Sequence, residues 1–493
     1  MLQLNLADTL RQEKALTITG KHKARTWKAQ LGQFMTPATV ARFMASLFSS
    51  SPLHTCRLLD PGAGMGALTC AFLDRWTAGG FGFASVEVTA CEVDDHLRDH
   101  LARRLAGYSH TTSRIIPDDY IHLATGHGLR NQGYTHVILN PPYRKISSQS
   151  AHRLALRRVG IETVNLYSAF VALAVAEAAP GGQIVAIIPR SFCNGPYYRP
   201  FRDFILARSA IRQMHLFASR NQPFKGDQVL QETIILHLER GGQQGPVTVS
   251  TSTDDSFADF AAHEHPFERI VFPHTPERFI HVPTTPEKTA IERLSAVSCS
   301  LADLGIKVST GPVVDFRLKA HLRPVPEAGA VPLIYPGHLR MGGTLWPIAG
   351  LKKPNAIMRN DETEKWLYPN GFYCAVRRFS AKEERRRVVA SVVNPATFGK
   401  HSVLGFENHI NLFHENRHGL PETLARGLAL FLNTTAVDEH FRRFNGHTQV
   451  NATDLKLMRY PSRKTLIQLG KWAMEQGTLT QDQMDARLGT LAQ

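Results

Sequence analysis

Short apolar runs alternate with segments of helical period along the first half of the chain. Cys56 to Asp60 is a brief apolar run that breaks into a glycine turn, and a helical pattern follows from Ala67 to Trp76. Ser85 to Cys91 alternates apolar and polar positions as a strand does, and Asp94 to Leu105 reads as a helix. His136 to Leu139 predicts a third strand, Leu166 to Ala179 a helix, and Gly182 to Ile188 a fourth strand. Thr233 to Leu238 predicts a late strand closing the sheet. Strand and helix in turn, with strands apolar on both faces, predict an α/β fold with a doubly wound, mostly parallel, Rossmann-like sheet.

After Glu239 the rhythm stops. Gly241 to Pro246 (GGQQGP) reads as a loop, and the Pro- and His-rich stretch His263 to Pro286 as a linker or irregular subdomain. Beyond residue 295, short strands, turns and basic clusters predict a second, α+β domain. The expected division is therefore a first domain over 1–245, a linker or irregular segment over 246–295, and a second domain over 296–493.

Composition narrows the class. With 493 residues, 43% hydrophobic and 20% charged, the chain can bury two substantial cores, and disorder is excluded as its main character. An excess of 57 Lys and Arg over 42 Asp and Glu, net +15, favours a polyanionic partner such as nucleic acid, although solubility alone also accounts for it. Six scattered cysteines with no C-x-x-C pair indicate neither a disulfide framework nor a zinc ribbon, and suit a reducing cytoplasm. The start lacks an apolar signal-peptide core, and the most apolar stretch, Ala169 to Ala179, is too short to span a bilayer. A cytoplasmic protein with no membrane partner is expected.

Asp60 to Gly66 (DPGAGMG) falls between a strand and a helix. Glycines there let a backbone approach a ligand closely, and the helix start offers free N–H groups; tight strand–helix packing needs glycine too. Glu92, at the end of the next strand, is placed to accept bonds from ribose hydroxyls. Asp60 stands where a dinucleotide motif has its leading glycine, which points toward a nucleoside ligand.

Asn140 to Tyr143 (NPPY) ends the strand His136 to Leu139. DPGAGMG followed by NPPY resembles the S-adenosylmethionine-dependent amino-methyltransferases. The motif order is similar to that of the gamma-class adenine-N6 DNA methyltransferases of type II restriction–modification systems. The resemblance covers most of residues 30 to 460 and is more specific in the first half. It implies a class I methyltransferase fold for 1–245 and a target-recognition, DNA-binding role for 296–493. It also implies S-adenosylmethionine as cofactor, no metal, and double-stranded DNA as partner. A separately acting restriction endonuclease and a monomeric enzyme are expected with it.

The chemistry explains the motif. An exocyclic amino group on a base is a poor nucleophile, because its lone pair is delocalised into the ring. The resemblance implies that the Asn140 side-chain oxygen and the Pro141 carbonyl accept both N–H bonds, with Pro142 in the same catalytic motif and Tyr143 stacking on a flipped base. Phe224 is the expected aromatic on the base's other face, with Phe217 the alternative. Thr36, in the element 30–48, matches the residue that covers the methionine part of the cofactor. As plain chemistry, Thr36 with Pro37 also reads as a helix cap. Asp119, with Asp118 second, matches the acid that contacts the cofactor's adenine amino group, beside Tyr120. Asp60, Gly62, Gly64 and Glu92 complete the expected cofactor set.

Arg144, Lys145, Arg153, Arg157 and Arg158 follow NPPY with no acid before Glu162, which suits contact with a phosphate backbone or a solvated helix face. A second cluster, Arg377 to Arg387, includes Glu383 and Glu384 and reads equally as backbone contact or surface helix. Ser309 to Arg317, Glu407 to Asn411 and Phe444 to Leu455 resemble target-recognition segments, in which Gln449 and Asn451 read an adenine edge or brace a turn. Methylation of an RNA base or a protein glutamine is the neighbouring alternative, and a catalytically inactive DNA-specificity protein the remoter one. No fused nuclease motif is found.

Overall fold

The computed structural model describes residues 36–126, 133–217, 232–271, 277–285, 297–380, 384–444 and 449–490. The chain forms two compact units, Met1–Pro286 and Glu287–Gln493.

Among the described residues, the sheet of the first unit has nine strands: β1 (Thr55–Asp60), β2 (Ser85–Cys91), β3 (Thr111–Ile116), β4 (Tyr134–Leu139), β5 (Ala178–Pro189), β6 (Ser209–Phe217), β7 (Thr233–Arg240), β8 (Val247–Ser252) and β9 (Ala261–His265). Their order is β3-β2-β1-β4-β5-β7-β6-β8-β9. The pairs from β3 through β5 are parallel, and β7 runs antiparallel between β5 and β6. The order reverses between β1 and β4, so their carboxyl ends diverge into a crevice, where open α/β sheets bind ligands.

Helices cover both faces: α1 (Ala38–Ser46), α2 (Ala67–Arg75), α3 (Asp95–Leu105), α4 (Tyr120–Thr125), α5 (Ala151–Arg158), α6 (Leu166–Glu177) and α7 (Arg199–Arg208). Every residue of β4 is buried, as a strand clad on both sides requires. Alternate residues feed two cores. Leu58 and Ile138 pack with Met44 and Phe72, while Leu59, Val137 and Leu139 pack with α6.

Two expectations are corrected. The strand at Thr233 does not close the sheet, since β6, β8 and β9 lie beyond it. The segment from residue 246 is not a linker at its start: β8 pairs with β6 and β9 with β8. β8 is polar for an inner strand because Ser250 and Ser252 serve a buried imidazole, their hydroxyls lying 3.0 and 3.1 Å from Nδ1 and Nε2 of His215. β3 went unseen because it is an edge strand with exposed Thr112, Ser113 and Arg114.

The second unit holds a four-stranded antiparallel sheet (307–310, 410–414, 373–377 and 390–393 in order) and a five-stranded mixed sheet. Helices Glu422–Leu432 and Arg463–Gln476 pack backbone to backbone. A Cβ on Gly427 would stand 1.8 Å from the Leu466 carbonyl oxygen, and one on Gly470 1.7 Å from that of Thr423. Among the described residues no helix is long and apolar enough to cross a membrane.

Candidate active site

β1 delivers the glycine turn. Gly64 and Gly66 take φ of +54° and +80°, a left-handed region that other residues avoid. At Gly66 a Cβ would also meet the Leu101 side chain at 2.5 Å. The Gly64 N–H donates to Glu92 Oε2 at 2.8 Å, and the Asp94 N–H to Glu92 Oε1 at 2.9 Å. Glu92 thus ties the turn to the end of β2, and burial raises its carboxyl above the ordinary range. Asp60 is fully buried, and its Oδ2 accepts from Thr69 Oγ1 at 2.7 Å. Burial pushes its carboxyl up to about 7. It shapes the turn from behind and is not on the cavity wall, contrary to the expected cofactor contact.

β3 leads to the opposite wall. Asp119 caps α4, its Oδ1 accepting from the His122 N–H at 3.1 Å. Burial raises its carboxyl, but the hydrogen bonds from His152 and from the His122 amide outweigh this and hold it below the usual range. The Tyr120 ring lies 5.0 Å from Phe170.

β4 delivers Asn140 to the same place. Asn140 Nδ2 donates to Thr36 Oγ1 at 3.0 Å. Thr36 is therefore not a helix cap; Pro37 occupies that position, with no side-chain capping bond. Nor does Thr36 line the cavity. Pro141 is buried, and Tyr143 donates through its hydroxyl to the Ile187 carbonyl at 3.1 Å, which anchors the ring to β5. Phe224 lies outside the described residues. Its alternative, Phe217, is buried beside the rings of His215 and Phe257.

These strand ends enclose a cavity of about 220 Å³, lined by Gly62, Gly64, Glu92, Asp118, Asp119, Tyr120, Asn140, Pro142 and Arg144. Further lining residues that the sequence did not single out include Val93, Leu97, His152 and Phe170. Phe170 lies on α6, whose residues are apolar and buried nearly throughout, so the sequence alone does not mark it as a cavity residue. Carboxylates at two ends, apolar side chains between, and a glycine cradle where a Cβ at Gly64 would meet nothing suit a nucleoside.

The basic segment divides. Arg153 is buried and ion-paired with Glu162, and the exposed Arg157 bonds the same carboxylate at 2.8 Å. Arg153 is thereby withdrawn from the phosphate-contacting set. Arg144, Lys145 and Arg158 are exposed.

In the second unit, the segments expected to read the target come together. The Asn408 N–H donates to the Val313 carbonyl at 2.9 Å, and Asn411 Nδ2 to that of Val450 at 2.6 Å. Asn451 caps the helix Ala452–Leu457. Gln449 Oε1 accepts from Arg378 Nη2 at 3.2 Å. The second basic cluster is largely structural, with Arg387 fully buried and Arg377 paired with Glu384 at 3.0 Å.

The strand order, with a glycine turn and Asn-Pro-Pro-Tyr at its switch point, defines a class I, Rossmann-like methyltransferase followed by a second domain. A family model described as Eco57I restriction-modification methylase matches residues 95–224. The chain is 51% identical over 476 residues to the type II methyltransferase M.BsuBI of Bacillus subtilis, covering 94% of each. It is 42% identical over 474 residues to the type II methyltransferase M.PstI of Providencia stuartii, covering 94% of this chain and 92% of that one. The protein belongs to the type II restriction-modification methyltransferases. Its fold is similar to that of the type IIL restriction-modification enzyme MmeI, solved in complex with DNA, at a TM-score of 0.52 and 9% identity over 97% of this chain and 73% of that one.

Proposed function

We propose that this protein is a site-specific DNA methyltransferase that moves a methyl group from S-adenosylmethionine to N6 of an adenine flipped out of duplex DNA. The observation that carries the reading is the meeting of Asn140, at the end of β4, with Gly64 and Glu92 in one cavity. The Gly62–Gly64 turn, Glu92 and Asp119 would hold the cofactor, one carboxylate toward hydroxyls and the other toward an amino group, with Leu97 and Phe170 covering apolar surface. When bound, S-adenosylmethionine supplies an electrophilic methyl group on a sulfonium.

The chain's own part is positioning. The Asn140 side-chain oxygen and the Pro141 carbonyl accept the two N–H bonds of the target amino group, drawing its nitrogen toward tetrahedral geometry and exposing the lone pair. Thr36 braces the Asn140 amide from its other end. Tyr143, anchored through its hydroxyl, offers its ring to the extruded base. The second unit would recognise the duplex sequence, and the exposed Arg144, Lys145 and Arg158 would meet phosphates. In this role a monomer protects host DNA against a separate endonuclease.

Sequencing that detects modified bases in DNA from cells expressing the chain tests the reading. N6-methyladenine at one short site is expected; N4-methylcytosine, or unmodified DNA, overturns it.

A further inference from the structure

The cofactor cavity has a wall residue with no role in the reading above. His152 stands in the first turn of α5, and its Nε2 lies 3.2 Å from Asp119 Oδ2. The other oxygen, Oδ1, already accepts the His122 N–H as the cap of α4. Two contacts from two different helices therefore hold one carboxylate at the rim of the cavity.

His152 is itself well placed. Ser150 caps α5, its Oγ accepting the Arg153 N–H at 3.3 Å, and the buried Leu156 and the Arg153–Glu162 pair fix the helix one turn on. The imidazole is thus presented by an anchored helix.

We propose that His152 is a positioning residue for cofactor recognition, orienting the Asp119 carboxylate toward the exocyclic amino group of the cofactor's adenine. The inference rests on the cofactor reading of the cavity. A carboxylate turns easily about its terminal torsion. Held only by the His122 amide, Asp119 could swing Oδ2 toward solvent, and binding would then pay to order it. Held at both oxygens, it meets the adenine already aimed, and affinity gains by preorganisation. The contact also shifts both partners toward their charged forms: Asp119 raises the imidazole, and His152 helps lower the carboxyl. An ionised acceptor makes the stronger bond to an amino group.

The test pairs ligands that differ only at that amino group. Calorimetry on the full chain would compare S-adenosylhomocysteine with its deaminated analogue, S-inosylhomocysteine, which has no amino group to donate. His152→Ala should weaken the adenosyl ligand about fivefold to tenfold and change the inosyl ligand less than about twofold. His152→Gln, which restores an N–H donor at similar reach, should recover most of the loss. Equal weakening of both ligands would mean that His152 merely supports the fold, and overturns the proposal, as does no weakening of either. Asp119→Asn separates the layers. If it discriminates between the ligands and His152→Ala does not, only the His152 inference falls. If Asp119→Asn does not discriminate either, the adenine contact falls, and the His152 inference with it.

Discussion

Two neighbouring stretches of this chain carry equally plain sequence signals and fared differently. The motif Asn140 to Tyr143 and the glycine turn Asp60 to Gly66 each sit at the end of a buried parallel strand, and register delivers both to one cavity. The basic stretch that follows, through Arg158, lies on a loop and an amphipathic helix, and there neighbours decide. Glu162 takes Arg153 and Arg157, while Arg144, Lys145 and Arg158 stay exposed. A motif at a strand end inherits its position from the sheet. A charge on a helix acquires its role only from what folds against it.

The comparison can be broken at either side. The largest effect is expected at the strand end: Asn140→Ala should lower methyl transfer by roughly 1000-fold or more, with cofactor affinity nearly unchanged, since the lost acceptor acts on the transition state. Single-turnover assays beside calorimetry measure both quantities.

The sheet that aims those strands should be sensitive to acid. Burial pushes His136, His215 and His237 down to about 4, so the folded state resists protons that the unfolded chain accepts near 6.5. Their contribution, about 3 kcal/mol each at most, is whole above 6.5 and fades as pH falls toward 4. Asp60, raised to about 7, has the opposite sign, gaining its proton in the folded state first. Glu92, also raised by burial, acts the same way, but three strongly shifted imidazoles outweigh the two carboxyls, so denaturation midpoints should fall between pH 6.5 and 4. A flat profile would show that the histidines are not held neutral.

Next is Glu92→Ala, which removes the acceptor that ties Gly64 to β2. Cofactor affinity should fall about 10- to 100-fold by calorimetry, because both a ligand contact and the shape of the turn are lost.

The smallest effects sharpen the other side. Arg158→Ala should reduce the slope of log affinity for DNA against log salt by about 1, the share of one phosphate contact. Arg153→Ala should leave that slope alone and lower the melting temperature, because it removes a buried side chain that ties α5 to Glu162. The reverse pattern would exchange the two roles.

The succession of apolar runs, the glycine turn, Glu92 and Asn-Pro-Pro-Tyr were legible in the sequence, and so was the second domain. Each reflects a local rule: strands clad on both faces must be apolar, a left-handed turn needs glycine, and a motif after a strand lies at its end. What escaped depended on distant partners. β8 hid because its serines serve His215, and Asp60 went behind the turn because Thr69 and burial claimed it. Thr36 braces Asn140 across a separation of 104 residues. Phe170 and His152 were silent because an apolar helix and a basic helix look alike whether or not they face a cavity. The sequence by itself determined which chemistry could be offered and at which strand ends. Only the tertiary structure decided which side chains remain at the cavity and which are spent holding it, because burial, pairing and register are settled by residues far along the chain.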